Sequence, residues 1–204
     1  MGRALDRDGL LAAFDELGRC AAAAGAKLEI AVYGGSALML ASNFRYATED
    51  VDVSLLDLPG PDWLGSAIER IAVANDWAAD WLNNAVIFHL SALADHAADH
   101  LEFGTFPRDG GPAGLVVHVP TAPYLLALKL KAIRINDPVR GEQERLDSLN
   151  LMRVVGIRSV DEAIAVMGRY FPISAAAAEK QRFLLKNMQL EGARDAPEYP
   201  RRGD

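Results

Sequence analysis

The chain has 204 residues, half of them hydrophobic and about a quarter charged, so it can bury a core of ordinary size and should be globular. No apolar run approaches the roughly 20 residues of a membrane-spanning helix, and Met1-Gly2-Arg3-Ala4-Leu5-Asp6 lacks the apolar stretch of a secretory signal. One cysteine, Cys20, excludes an internal disulfide or a thiolate zinc cluster, and the net charge of −7 argues against a general affinity for duplex DNA. These features together predict a soluble, cytoplasmic protein.

Residues Asp8 to Ala24 carry Leu10, Leu11, Phe14, Leu17 and Cys20 at helical spacing, and Gly25 is a natural stop. Lys27-Leu-Glu-Ile-Ala-Val-Tyr33 alternates and is rich in branched residues, which predicts a strand. Gly34-Gly35 breaks it, Ser36 opens a short apolar helix to Ala41, and a loop with Arg45 and Thr48 leads to a second strand, Asp50 to Leu56. Pro61 stands in the first turn of a helix carrying Trp63, Leu64, Ile68 and Ile71. Further strands are predicted at Ala85–Leu90, Leu101–Phe106 and Leu115–Val119. Beyond Pro120, helical spacing marks Tyr124–Ile135, Glu144–Val155, Val160–Tyr170 and Ser174–Leu190. The expected fold is α/β (α+β): a small mixed sheet flanked by helices over residues 1–120, a helical portion packed on it over 121–191, and a flexible tail over 192–204.

Charge is uneven. Lys129 to Arg158 holds seven basic and four acidic residues, a local excess of +3 on an acidic chain. Such a face suits binding one phosphate-bearing ligand; the plainer alternative is a solvated helix surface of mixed charge.

The chemistry concentrates in Tyr33 to Ser54, YGGSALMLASNFRYATEDVDVS. Two glycines between a strand and a helix let a phosphate approach the backbone, where the first helical amides are unpaired. Ser36 can add its hydroxyl to a phosphate or cap the helix. After thirteen intervening residues comes Asp50-Val51-Asp52. In a strand these two carboxylates share one face while Val51 and Val53 point to the core. Paired carboxylates repel unless a cation sits between them, and magnesium is commonly held by one or two carboxylates plus substrate phosphates. Each half alone could be chance, a turn or a wet strand face. Neither a dinucleotide-binding G-x-G-x-x-G nor a Lys-Ser/Thr phosphate loop is present.

Gly34-Gly35-Ser36 followed by Asp50-Val51-Asp52 resembles the signature of the DNA polymerase β-type nucleotidyltransferase superfamily. More closely, Arg45-Tyr-Ala-Thr48-Glu-Asp50-Val-Asp52 resembles the Arg-x-x-Thr-x-Asp-Ile/Val-Asp run of bacterial minimal nucleotidyltransferases. Those are related to the AbiEii toxins of abortive-infection and toxin–antitoxin systems. Leu125-Leu-Ala-Leu-Lys129-Leu-Lys-Ala132 resembles their helix with a central lysine, Arg145-Leu-Asp147 the segment after it, and Trp81-Leu-Asn-Asn84 a motif ending Trp-Leu-Asn-Asp. The resemblance spans residues 25 to 160.

It implies a magnesium- or manganese-dependent transfer of a nucleoside monophosphate from a nucleoside triphosphate to an acceptor, with loss of pyrophosphate. RNA is the candidate acceptor, a toxin the candidate role, and an antitoxin protein the candidate partner. Asp50 and Asp52 would be catalytic and hold metal. Gly34, Gly35, Ser36, Lys129, Arg45 and Thr48 would bind nucleotide, with Gly35 and Ser36 at the β- and γ-phosphates. Active members usually add a third carboxylate from a later strand as base, whereas this chain has Asn84 there and Asp80 nearby. The alternatives are a weakened enzyme, another base, or a degenerate nucleotide-binding protein acting as sensor or partner-binding module. Lys129 could equally be a surface lysine.

Other signals are weaker. His96 and His100, beside Asp95 and Asp99, could share a helix face and hold a metal, but Ala92–His100 reads more simply as an alanine-rich polar helix. His118 reads as a core or edge histidine, Cys20 as a buried small hydrophobe, and Trp63, Trp77 and Trp81 as core or rim residues.

Overall fold

A computed structural model describes residues 4–56, 60–133, 140–186, 188 and 197–201. Strand β2 (Leu28–Val32) lies at the centre because both its faces are apolar. Leu28, Ile30 and Val32 enter one cluster of buried side chains, and Ala31 with Tyr33 enters another on the opposite face. This is the period-two pattern of a strand covered on both sides. Beside it run β4 (Val51–Leu55), antiparallel, and β7 (Leu115–Pro120), parallel. The edges are β5 (Leu82–Asn83), parallel to β4, and β6 (His100–Phe106), antiparallel to β7. The order is β5-β4-β2-β7-β6, with a separate antiparallel pair of β1 (Leu5–Asp6) and β3 (Ala47–Thr48).

One layer holds α1 (Arg7–Ala23), capped by the Asp6 carboxylate on the Gly9 amide, and α3 (Trp63–Asn75). Helix α2 (Gly34–Ala41) is almost wholly buried and follows β2 directly. The C-terminal part is helical: α5 (Ala122–Ala132), α6 (Gly141–Val155), α7 (Val160–Tyr170) and α8 (Ala175–Lys186). It shares a core with the sheet, since Tyr124 and Tyr170 pack with Ala31 and Tyr33. The mixed α/β architecture with a helical C-terminal portion is as expected, and no described helix is long and apolar enough to cross a membrane.

Two segments depart from expectation. Ala85–His89 is a 3-10 helix, not a strand. Its neighbour β5 ends at Asn83, whose carboxamide oxygen accepts from the Ala85 amide and turns the chain. The polar segment before β6 contains only one helical turn, α4 (His96–Asp99), and His100 already belongs to the strand. Residues 197–201, expected within a flexible tail, lie against the body. The Arg201 amide donates to the Ala41 carbonyl, the Glu198 amide to the Asn43 side chain, and the Tyr199 hydroxyl to the Pro120 carbonyl. The predicted ends at Ile135 and Leu190 lie outside the described residues.

Candidate active site

The Tyr33 amide donates to the Asp52 carbonyl, so the end of β2 and the start of β4 are clamped side by side. The chain then turns at Gly34, whose φ of +64° is a left-handed conformation that side chains resist. A Cβ at Gly34 would stand 2.9 Å from Asp52 Oδ2. One at Gly35 would stand 2.8 Å from Arg45 Nη2. A side chain at either position would have to displace a neighbour, the carboxylate at Gly34 and the guanidinium at Gly35. The first turn of α2 meets both.

Val51 and Val53 are buried while Asp52 is half-buried and Asp50 exposed, so the alternation places both carboxylates toward one cleft. Asp50 immediately precedes the strand. The Thr48 hydroxyl donates to the Asp50 carbonyl at 3.1 Å, fixing the backbone before it. Burial raises the Asp52 carboxyl above the ordinary range, and the Asp50 charge pushes the same way, against the pull of His89 and Lys129. A divalent cation between the two carboxylates would relieve that repulsion. The donors are hard oxygens, which fit magnesium or manganese. Among the described residues, no group of three or more His, Cys, Asp or Glu converges as a metal-ligand set.

The cleft, of about 600 Å³, is lined by Gly34, Gly35, Arg45, Asp50, Asp52 and Lys129 among others. Behind it is a residue that sequence reasoning placed only in a suggestive segment. Asp147, on α6, is fully buried. Its Oδ2 accepts from Arg45 Nη1 and from Lys129 Nζ, both at 2.8 Å, and its Oδ1 from Gln143 Nε2 at 2.8 Å. Arg45 further donates from Nε to the Ala47 carbonyl at 3.2 Å. The two cations assigned to phosphate are thus held from behind by one carboxylate. Ser36 is placed otherwise than expected: its hydroxyl donates to the Tyr33 carbonyl at 2.8 Å and is buried, leaving its backbone in the first helical turn.

Asn84 does not occupy the position opposite the carboxylates. In the parallel β4–β5 pair, Asp52 faces Asn83, and Asn84 is exposed at the start of the 3-10 helix. Sequence reasoning placed a strand at Ala85–Leu90 and so misjudged the register by one residue. His96 and His100 do not share a helix face. Their rings stack at 4.9 Å across the α4–β6 junction, while His100 Nε2 and the Tyr33 hydroxyl share a hydrogen bond of 2.8 Å. Burial lowers His100 to about 4. His118 pairs with Glu29 at 3.5 Å. A broader surface depression of about 880 Å³, near Arg153, Arg158 and Arg201, has no paired carboxylates.

The glycine geometry gives a direct expectation. Gly34→Ala should lose about 1–2 kcal/mol of stability from the left-handed backbone alone, and should displace Asp52. Gly35→Ala meets a movable side chain and should unfold less readily, yet weaken anion binding by unseating Arg45. Urea unfolding with pyrophosphate titration separates the two. Equal stability of Gly34→Ala and wild type would overturn the assignment.

Compared with known proteins, the chain matches no family model, no curated protein and no solved structure.

Proposed function

We propose that this protein is a divalent-metal-dependent nucleotidyltransferase, moving a nucleoside monophosphate from a nucleoside triphosphate to an acceptor hydroxyl. The observation that carries the reading is the juxtaposition of the Gly34-Gly35 helix start with Asp52, whose carboxylate lies so close that a Cβ on Gly34 would stand 2.9 Å from Oδ2. On this reading an anion site and a cation site adjoin, which is what a metal-bound triphosphate requires.

The first amides of α2 would bind phosphate oxygens. Arg45 and Lys129 would add charge from the cleft wall, their positions fixed by Asp147. Asp50 and Asp52 would hold the metal, with Thr48 keeping Asp50 in place. When bound, the metal supplies charge neutralisation on the phosphates and lowers the pKa of a coordinated hydroxyl. The chain itself contributes position and preorganised charge, the dominant factors in phosphoryl and nucleotidyl transfer. RNA as the acceptor, a toxin role and an antitoxin partner belong to the same proposal and rest on the sequence resemblance.

A second reading has its own observation. Asn83, neutral and engaged with the Ala85 amide, stands opposite Asp52 where a third carboxylate would add a base. A degenerate binding protein, sensing nucleotide or presenting it to a partner, would keep the cleft and lack the reaction.

Thermal unfolding with magnesium, nucleoside triphosphate or both tests the shared part. Together they should act synergistically, reaching about 2.7 kcal/mol of stabilisation at a hundred times Kd. The double variant Asp50→Ala/Asp52→Ala should lose the synergy. Retained synergy there would reject the metal assignment. Transfer of labelled nucleotide to total RNA then divides enzyme from binder.

A further inference from the structure

We propose that His89 is the general base of this site, accepting the proton of the attacking hydroxyl. The inference rests on the nucleotidyltransferase reading of the same cleft.

His89 ends the 3-10 helix Ala85–His89, is exposed, and is among the residues lining the cleft that contains Asp50 and Asp52. Asp52 and Lys129 line the same cleft. The His89 backbone is anchored: the carbonyl accepts from Lys131 Nζ at 3.1 Å, and that ammonium lies 4.1 Å from the centroid of the Phe171 ring. Among the described residues, its imidazole has no hydrogen-bond partner. The proton-accepting nitrogen is therefore available to a substrate.

The other acceptors in the cleft are engaged. Asp50 and Asp52 are assigned to the metal. Glu49 is paired with Arg140, and Glu144 has partners of its own. The Tyr33 hydroxyl is turned to His100. Asp147 lies behind the wall with both oxygens occupied. Asn83 cannot take a proton near neutrality, and its oxygen starts the very turn that carries His89. A neutral imidazole carries one unprotonated ring nitrogen, the acceptor that a general base requires.

In the step, a neutral imidazole nitrogen takes the proton as the acceptor oxygen bonds to the α-phosphorus. The bond from that phosphorus to the oxygen bridging toward the β-phosphorus breaks, and pyrophosphate leaves with the electron pair. The imidazolium then returns its proton to water.

The test compares wild type, His89→Gln and His89→Gly in single-turnover transfer from each α-labelled nucleoside triphosphate to total bacterial RNA. Magnesium-dependent binding of the α,β-methylene triphosphates is measured in parallel by calorimetry. Transfer should fall about 10²-fold or more in both variants, with binding unchanged, and added imidazole should partly restore His89→Gly but not His89→Gln. Wild-type rates in both variants would overturn the assignment of His89 alone. Loss of binding in step with loss of transfer would do the same, making His89 a binding residue. A wild type that binds magnesium and nucleotide but transfers nothing would overturn the enzyme reading, and the base with it.

Discussion

Asp147→Ala is expected to destabilise the protein by about 3–5 kcal/mol, the range found when one partner of a buried ion pair is removed. The carboxylate is fully buried, and the side chains of Arg45 and Lys129 are only 20% and 14% exposed. Removing it strands two cations that water reaches poorly, along with the Gln143 amide. In a chain of this size each kcal/mol shifts Tm by about 2–4 °C, so thermal unfolding resolves the effect easily. Asp147→Asn keeps the shape but not the charge and should fall between wild type and Asp147→Ala. Pyrophosphate or triphosphate should stabilise the variants more than wild type, because the ligand then supplies the missing counter-charge. A loss below about 1 kcal/mol, the worth of an ordinary surface pair, would show that Asp147 is not the counter-ion.

Asp52→Asn should reduce transfer by about 10³-fold or more, several kcal/mol of metal-mediated charge stabilisation, while making the ligand-free protein more stable at neutral pH. The Asp52 carboxyl holds its proton more tightly in the folded protein than in the unfolded chain. From its ordinary value of 3.8 up to the raised one, the folded state carries the extra proton, so stability falls as pH rises through that window. It stays reduced above it. An asparagine removes this penalty, so the variant's stability should depend less on pH across the same window. Magnesium with nucleotide should close the gap by stabilising wild type alone. If Asp52→Asn is less stable than wild type at neutral pH without ligand, the carboxylate is not under the strain described.

The carboxylate and the counter-ion thus act oppositely. Asp147 stabilises the resting fold by holding the cleft's cations. On the proposed function, Asp52 would cost stability until a cation arrives, as is usual where a charged functional group is preorganised before its ligand binds.

Much of this was legible in local pattern. Alternation in Val51 to Leu55 turned the valines inward and Asp52 toward the cleft, because the pleat fixes successive side chains on opposite faces. Helical spacing located Val160–Tyr170 and most of α1, α3, α5 and α6, since an amphipathic helix writes its buried face into the sequence. The Gly34-Gly35 break was equally plain, although not that one glycine clears Asp52 and the other Arg45.

Register and distant pairing came from the packing of the chain. Whether Asn83 or Asn84 faces Asp52 depends on how β5 aligns with β4, and a one-residue slip exchanges the faces. The short apolar run Ala85–His89 is compatible with strand or helix, and packing against β4 beside the Asn83 turn chose the 3-10 helix. In that conformation His89 lines the cleft. Asp147 meets Arg45 across 102 residues and Lys129 across 18, separations that no local periodicity encodes. Local pattern set which residue types each element carries and which of its faces turns inward. The packing of α5 and α6 against the sheet determined which charges meet, because burial makes a pairing obligatory only once the chain has brought both partners out of water.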